Sequence, residues 1–91
     1  MVELRYHFHV RSGSYSRDEQ GTHFATPLAA LREGIETAGA LIKDDFVSLS
    51  DGAEWVMTIT DAAGLALFEL QFVSRIRPAA AHNRGCANDR L

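Results

Sequence analysis

His7 and His9 are separated by a single residue. On an extended strand that spacing sends both imidazoles to the same side, where they can approach one metal ion. Arg5 and Arg11 fall on that side too, so Arg5, His7, His9 and Arg11 make a basic polar row of the kind that can meet a phosphate backbone. Ser12, Ser14 and Ser16 follow, close in sequence to His9 and Asp18, which supplies the residue types of a nucleophilic triad.

Each of these chemistries lacks a part. A metal site takes three or four ligands. His23 is the other histidine outside the tail, and no carboxylate stands at a ligand-like spacing beside the pair. The expectation is no metal and no cofactor. The basic row lacks a stacking platform, because Tyr6 and Phe8 alternate to the opposite side. No nucleophile elbow surrounds the serines. Cys86 lies in the stretch read as a flexible tail, which lacks the positioned partners that lower a thiol pKa. The sequence therefore reads as non-enzymatic.

The elements that would position these groups are legible from periodicity. Residues 3–11 alternate throughout, with Leu4, Tyr6, Phe8 and Val10 on the core side. Ser12-Gly13-Ser14 turns the chain into a short strand over Tyr15 to Arg17. Asp18-Glu19-Gln20-Gly21 turns it again, and Thr22 to Phe24 is extended. Thr26 and Pro27 start a helix, with Leu28, Leu31, Ile35, Ala38 and Ile42 as its buried stripe and Leu41 and Phe46 widening it. Gly34 and Gly39 read as places of close approach or as tolerated glycines. Ser50-Asp51-Gly52 falls in the following loop.

Two strands, Glu54 to Thr60 and Leu65 to Val73, form a hairpin around Asp61-Ala62-Ala63-Gly64. Pairing Thr60 with Leu65 sets Ile59 against Ala66, Met57 against Phe68 and Trp55 against Leu70, all on one apolar face. Trp55 then belongs to the core. The order β-β-α-β-β predicts an α+β fold, an antiparallel sheet of about four strands with one helix packed on one face. Residues 1–77 form a single domain, and 78–91 read as a flexible C-terminal tail.

One helix covers one side of such a sheet, which leaves Val56, Leu65 and Leu67 as a candidate interaction face on the other. A homodimer or a small protein partner is expected there. The alternative is a nucleic-acid-binding or antitoxin-like regulator that uses the Arg5, His7, His9 and Arg11 face. The chain of 91 residues carries a net charge of −3, which disfavours nucleic acid in bulk. A single cysteine excludes an internal disulfide. With no signal-peptide pattern and no apolar run of membrane-spanning length, the expected setting is cytoplasmic, with no membrane partner.

Tyr6-His7-Phe8-His9-Val10-Arg11-Ser12-Gly13, the Asp18-x-x-Gly21 turn, the Leu/Ala-rich helix and the Asp61-x-x-Gly64 hairpin resemble a group of small bacterial proteins. That group is common in rhizobia and their relatives and is known as a domain of unknown function. The resemblance spans about residues 4–73. It implies a fold and a bacterial, cytosolic setting, and brings no activity with it. Where the family often has Asp before the hairpin glycine, this chain has Ser12. In element order alone the chain is also similar to the N-terminal domain of HicB-type antitoxins, an analogy of fold.

Overall fold

The structure is a computed structural model and describes residues 3–45 and 52–82, the side chains of 81 and 82 excepted. β1 spans Leu4–Ser12, β2 Ser14–Ser16, β3 Thr22–Phe24, α1 Pro27–Asp44, β4 Glu54–Asp61 and β5 Ala66–Val73. A short helix α2, Pro78–His82, opens the stretch read as tail. Phe46, Ser50, Asp51 and Cys86 lie outside the described residues.

The strands form one antiparallel sheet in the order β2-β1-β4-β5, with β3 also paired to β1. The α+β arrangement expected from the sequence is thus observed, with a fifth short strand in the sheet. β2 covers the far end of β1, through Val10↔Ser16 and Ser12↔Ser14, and β3 covers its beginning, through Leu4↔Phe24 and Tyr6↔Thr22. They lie end to end along the same edge, and the 17–21 loop bridges the gap between them. That gap is where the functional candidates gather.

Alternation builds the core as expected from Tyr6 onward, whereas Leu4, expected on the core side, is 55% exposed at the start of β1. Tyr6, Phe8 and Val10 of β1 share a face with Trp55, Met57 and Ile59 of β4, and Tyr6, Trp55, Met57 and Ile59 are fully enclosed. Burying each such side chain stabilises the fold by about 1.5–3 kcal/mol. Trp55 is a core residue, in keeping with its place in the hairpin pattern.

The helix starts where the sequence places it: Thr26 Oγ1 accepts the Ala29 N–H at 3.1 Å, and Pro27 occupies the first turn. Its inward face follows the expected stripe at Ala38, Leu31 and Ile42 but not at Leu28 and Ile35. Ala30, Gly34 and Ala38 are buried, Leu31 and Ile42 pack at the margin, and Leu28 and Ile35 stay 70% and 55% exposed. The reason is distance. A Cβ on Gly34 would sit 2.6 Å from Ile59 Cδ1 and 3.3 Å from Phe8 Cε2, so the sheet's large side chains meet the helix along its smallest residues. At Gly39 the space is open.

The β4–β5 register also departs from expectation. Trp55 pairs with Phe72, Met57 with Leu70 and Ile59 with Phe68, after which Thr60 pairs with Ala66. Leu67 is left as the extra residue of a β-bulge. Most of the ladder is therefore moved by two residues from the expected pairing. A two-residue slip keeps every side chain on its face, so the hydrophobic pattern is blind to it. The loop fixes the pairing instead: Asp61 Oδ1 accepts the N–H groups of Ala63 and Leu65 at 2.9 Å, and Asp61 N–H donates to Leu65 O at 3.0 Å.

Candidate functional site: the histidine pair and its aspartate loop

Between β2 and β3 the middle of β1 has no strand beside it, and Asp18 takes the place of one. Its Oδ2 accepts the Phe8 N–H at 3.1 Å, the donor that an edge strand would otherwise have met. Its Oδ1 accepts the N–H groups of Gly21 at 3.0 Å and Gln20 at 3.3 Å, closing the turn on itself. Gly21 has a φ of +73°, and a side chain there would meet the Arg5 stem and the Tyr6 carbonyl, so glycine is required on both counts. The Asp-x-x-Gly turn read from the sequence is present, and it also carries this bond to the central strand.

The histidines hold the two successive peptide groups that flank the Asp18 Cα. His7 Nδ1 lies 2.9 Å from the Asp18 carbonyl oxygen. A carbonyl only accepts, so His7 Nδ1 is protonated and donates. His9 Nδ1 accepts the Asp18 N–H at 3.0 Å, so it is unprotonated, and neutral His9 carries its proton on Nε2. The rings lie parallel with centroids 6.0 Å apart, and Tyr15 leans on His9 at 6.0 Å. Two imidazoles two residues apart on one strand thus have opposite Nδ1 roles.

The electrostatics agree with this wiring. Burial lowers the His9 pKa below 6.5, with the positive charges of Arg17 and His7 acting in the same direction and Asp18 opposing them. At Asp18 burial acts to raise the pKa, but the amide bonds from Gly21, Phe8 and Gln20, helped by His7, hold the carboxyl below its usual value. A neutral imidazole and an ionised carboxylate are the forms that the hydrogen bonds demand.

These wirings bear on each chemistry considered above. The one lone pair of His9 at Nδ1 is spent on the Asp18 amide, so a chelate through that nitrogen would have to break the bond. The Asp18 carboxylate faces backbone amides rather than the His9 ring, which is not the orientation a triad uses. Ser12 Oγ donates to Asp45 Oδ2 at 2.9 Å and so ties β1 to the end of α1. The outward edges of His7 and His9, with Arg17, Glu19, Asp61 and Thr60, line an open cleft of about 430 Å³.

Arg5, His7, His9 and Arg11 share the sheet face away from α1, but not as an isolated basic row. His9, Thr58 and Glu69 lie in one cross-strand row and Arg11, Val56 and Gln71 in the next. Glu54 belongs to the same face, so the formal charges of Arg5 and Arg11 are balanced in number by those of Glu54 and Glu69. The apolar patch expected on this face also changes. Val56 is only 3% exposed, between Arg11 and Gln71, whose long stems can cover it. Leu67 sits in the bulge and packs against the core. Leu65 alone of the three stands out in solvent, at 63%.

What sequence reasoning missed is the outer edge of β5. Among the described residues no strand pairs with it. Phe72 and Val73 are 39% and 43% exposed, with Leu65 before the strand and Ile76 beyond it also exposed. The signal was available in Ala66-Leu-Phe-Glu-Leu-Gln-Phe-Val73, a run without proline or lysine at the end of the sheet order.

Residues 5–73 match the model of a family described as a domain of unknown function, DUF6894. No curated protein and no solved structure gives a significant match. No helix among the described residues is long and apolar enough to cross a membrane.

Proposed function

The chain belongs to the DUF6894 family, and we propose that it is a small non-catalytic interaction module that associates through the β5 margin of its sheet. The observation that carries this reading is the outer edge of β5, open among the described residues, with Leu65, Phe72, Val73 and Ile76 exposed along it. A strand edge offers a row of unpaired N–H and C=O groups, and natural sheets blunt such edges with lysine, proline or bulges. From Phe68 to Val73 this one has none of these. The histidine and aspartate groups support the reading from the other side, because both histidine Nδ1 atoms and the Asp18 carboxylate are engaged in holding the loop. The resemblance of its motifs to small bacterial proteins supports a bacterial cytoplasm as the setting.

Sedimentation equilibrium at tens of micromolar tests it, comparing the wild type with a Leu65→Lys/Val73→Lys variant. Both positions are exposed, so the variant keeps its fold, which circular dichroism checks. The expected result is a wild-type dimer and a monomeric variant. A wild type that stays monomeric overturns self-association. A dimer that persists in the variant removes the β5 margin from the interface.

A further inference from the structure

We infer that the occupant of the β5 edge is a second copy of β5, running antiparallel about a two-fold axis centred on Leu70. The inference rests on the reading of β5 as the associating margin and deepens it by fixing partner and register. Phe68, Leu70 and Phe72 lie on the helix side of β5, paired with Ile59, Met57 and Trp55. Glu69 and Gln71 lie on the other side, paired with Thr58 and Val56. An axis perpendicular to the sheet keeps each side chain on its own face, so it must pass through a residue position and not between two.

Few centres remain. An axis at Glu69 sets two carboxylates directly opposite each other, which is destabilising. An axis at Gln71 or Phe68 slides the strands apart and leaves several residues of each edge unpaired. An axis at Leu70 pairs Leu67 to Val73 with the same segment of the second copy, Val73 lying opposite the bulged Leu67, and leaves only Ala66 of the strand beyond it. It sets Leu70 against its own copy, Phe68 against Phe72 of the second copy, and Glu69 against Gln71, whose amide can donate to the carboxylate.

The same axis brings the start of one β5 to the end of the other. Continued past the strand ends, the register sets Leu65 of each copy against Arg75 of the other, with the exposed Val73 and Ile76 of that copy on either side of it. The sheets continue into each other with both α1 helices on the same face. The pattern is self-complementary, and that points to a copy of this chain in preference to an unrelated strand.

Cysteine cross-linking reads the register directly. In a Cys86→Ser background, Glu69→Cys and Gln71→Cys proteins are prepared separately, mixed and oxidised, and the products are identified by mass. Disulfides need Cα atoms within about 4.4–6.8 Å, the separation of directly opposed residues and not of diagonal ones. The expected product is the mixed disulfide that joins one Glu69→Cys chain to one Gln71→Cys chain, with little cross-linking of either protein alone. A Glu69→Cys protein that links to itself moves the axis to that residue, and a Gln71→Cys protein that does so moves it onto Gln71; either overturns the inference. A dimer by sedimentation with no cross-link overturns the pairing of β5 with its copy while self-association stands. A monomer by sedimentation overturns both.

Discussion

The Asp18 carboxylate accepts the backbone N–H of Phe8 at 3.1 Å, and through that bond a surface loop completes the edge of the central strand. Truncation by Asp18→Ala leaves the amides of Phe8, Gln20 and Gly21 without their acceptor. The expected cost is about 1–3 kcal/mol, read by chemical denaturation. Because the folded state holds the Asp18 carboxyl below 3.8, its contribution is fully present above that pH and is lost as the pH falls through the folded-state value. A variant as stable as wild type at neutral pH would show that water replaces these bonds without loss.

His9 gives the milder end of the acid range its own test. Its pKa in the folded state lies below 6.5, so between the folded and unfolded values the unfolded chain binds more protons. Stability is expected to be complete above pH 6.5 and to decline as the pH drops towards the folded-state value. His9→Asn, which retains a short acceptor, is expected to flatten that slope relative to wild type in denaturation curves taken from about pH 5 to 7. An imidazole titration followed by NMR with a midpoint at or above 6.5 would contradict the assignment of a neutral His9.

Gly34 and Ile59 form a size-matched pair across the helix–sheet boundary. Gly34→Ala alone is expected to destabilise, since overpacking costs about 1–3 kcal/mol while the gain in helix propensity returns at most ~1 kcal/mol. In an Ile59→Val background, which lacks the obstructing Cδ1, the same substitution is expected to be neutral or mildly stabilising. A double-mutant cycle on the four proteins measures this coupling, and additive effects would place the constraint elsewhere.

Gly39 provides the contrast. Nothing lies within 4 Å of the Cβ it lacks, and it is in the body of α1. Gly39→Ala is expected to raise stability by about 0.5–1 kcal/mol, seen as a higher midpoint in thermal or denaturant unfolding. A loss would mean that the helix is crowded at that position in solution.

The two glycines show where the sequence is readable and where it is not. Thr26 and Pro27 mark the helix start without ambiguity, and β1 declares its faces by alternation. Hydrophobicity misplaces the facing side of the helix, because Ala30, Gly34 and Ala38 are inward for their small volume. Pattern puts the β4–β5 pairs on the correct face but has no means of detecting a shift by two residues, which the Asp61 amide bonds and the bulge at Leu67 decide. At the candidate site the turn motif is legible. The opposite Nδ1 roles of His7 and His9 are not, because they depend on the Asp18 N–H and C=O, which the turn brings back alongside the strand.

β2 and β3 span three residues each, and the loop that separates them is held to β1 through a side chain. Among the described residues, no continuous run of backbone groups faces outward on that flank, so it offers a poor template for another chain. The sheet thus has one long sticky border and one interrupted border. Joining at the long border consumes it in both partners and leaves only interrupted ones exposed. Under the proposed pairing, growth would therefore stop at a pair, where a sheet open on both flanks would extend into fibrils.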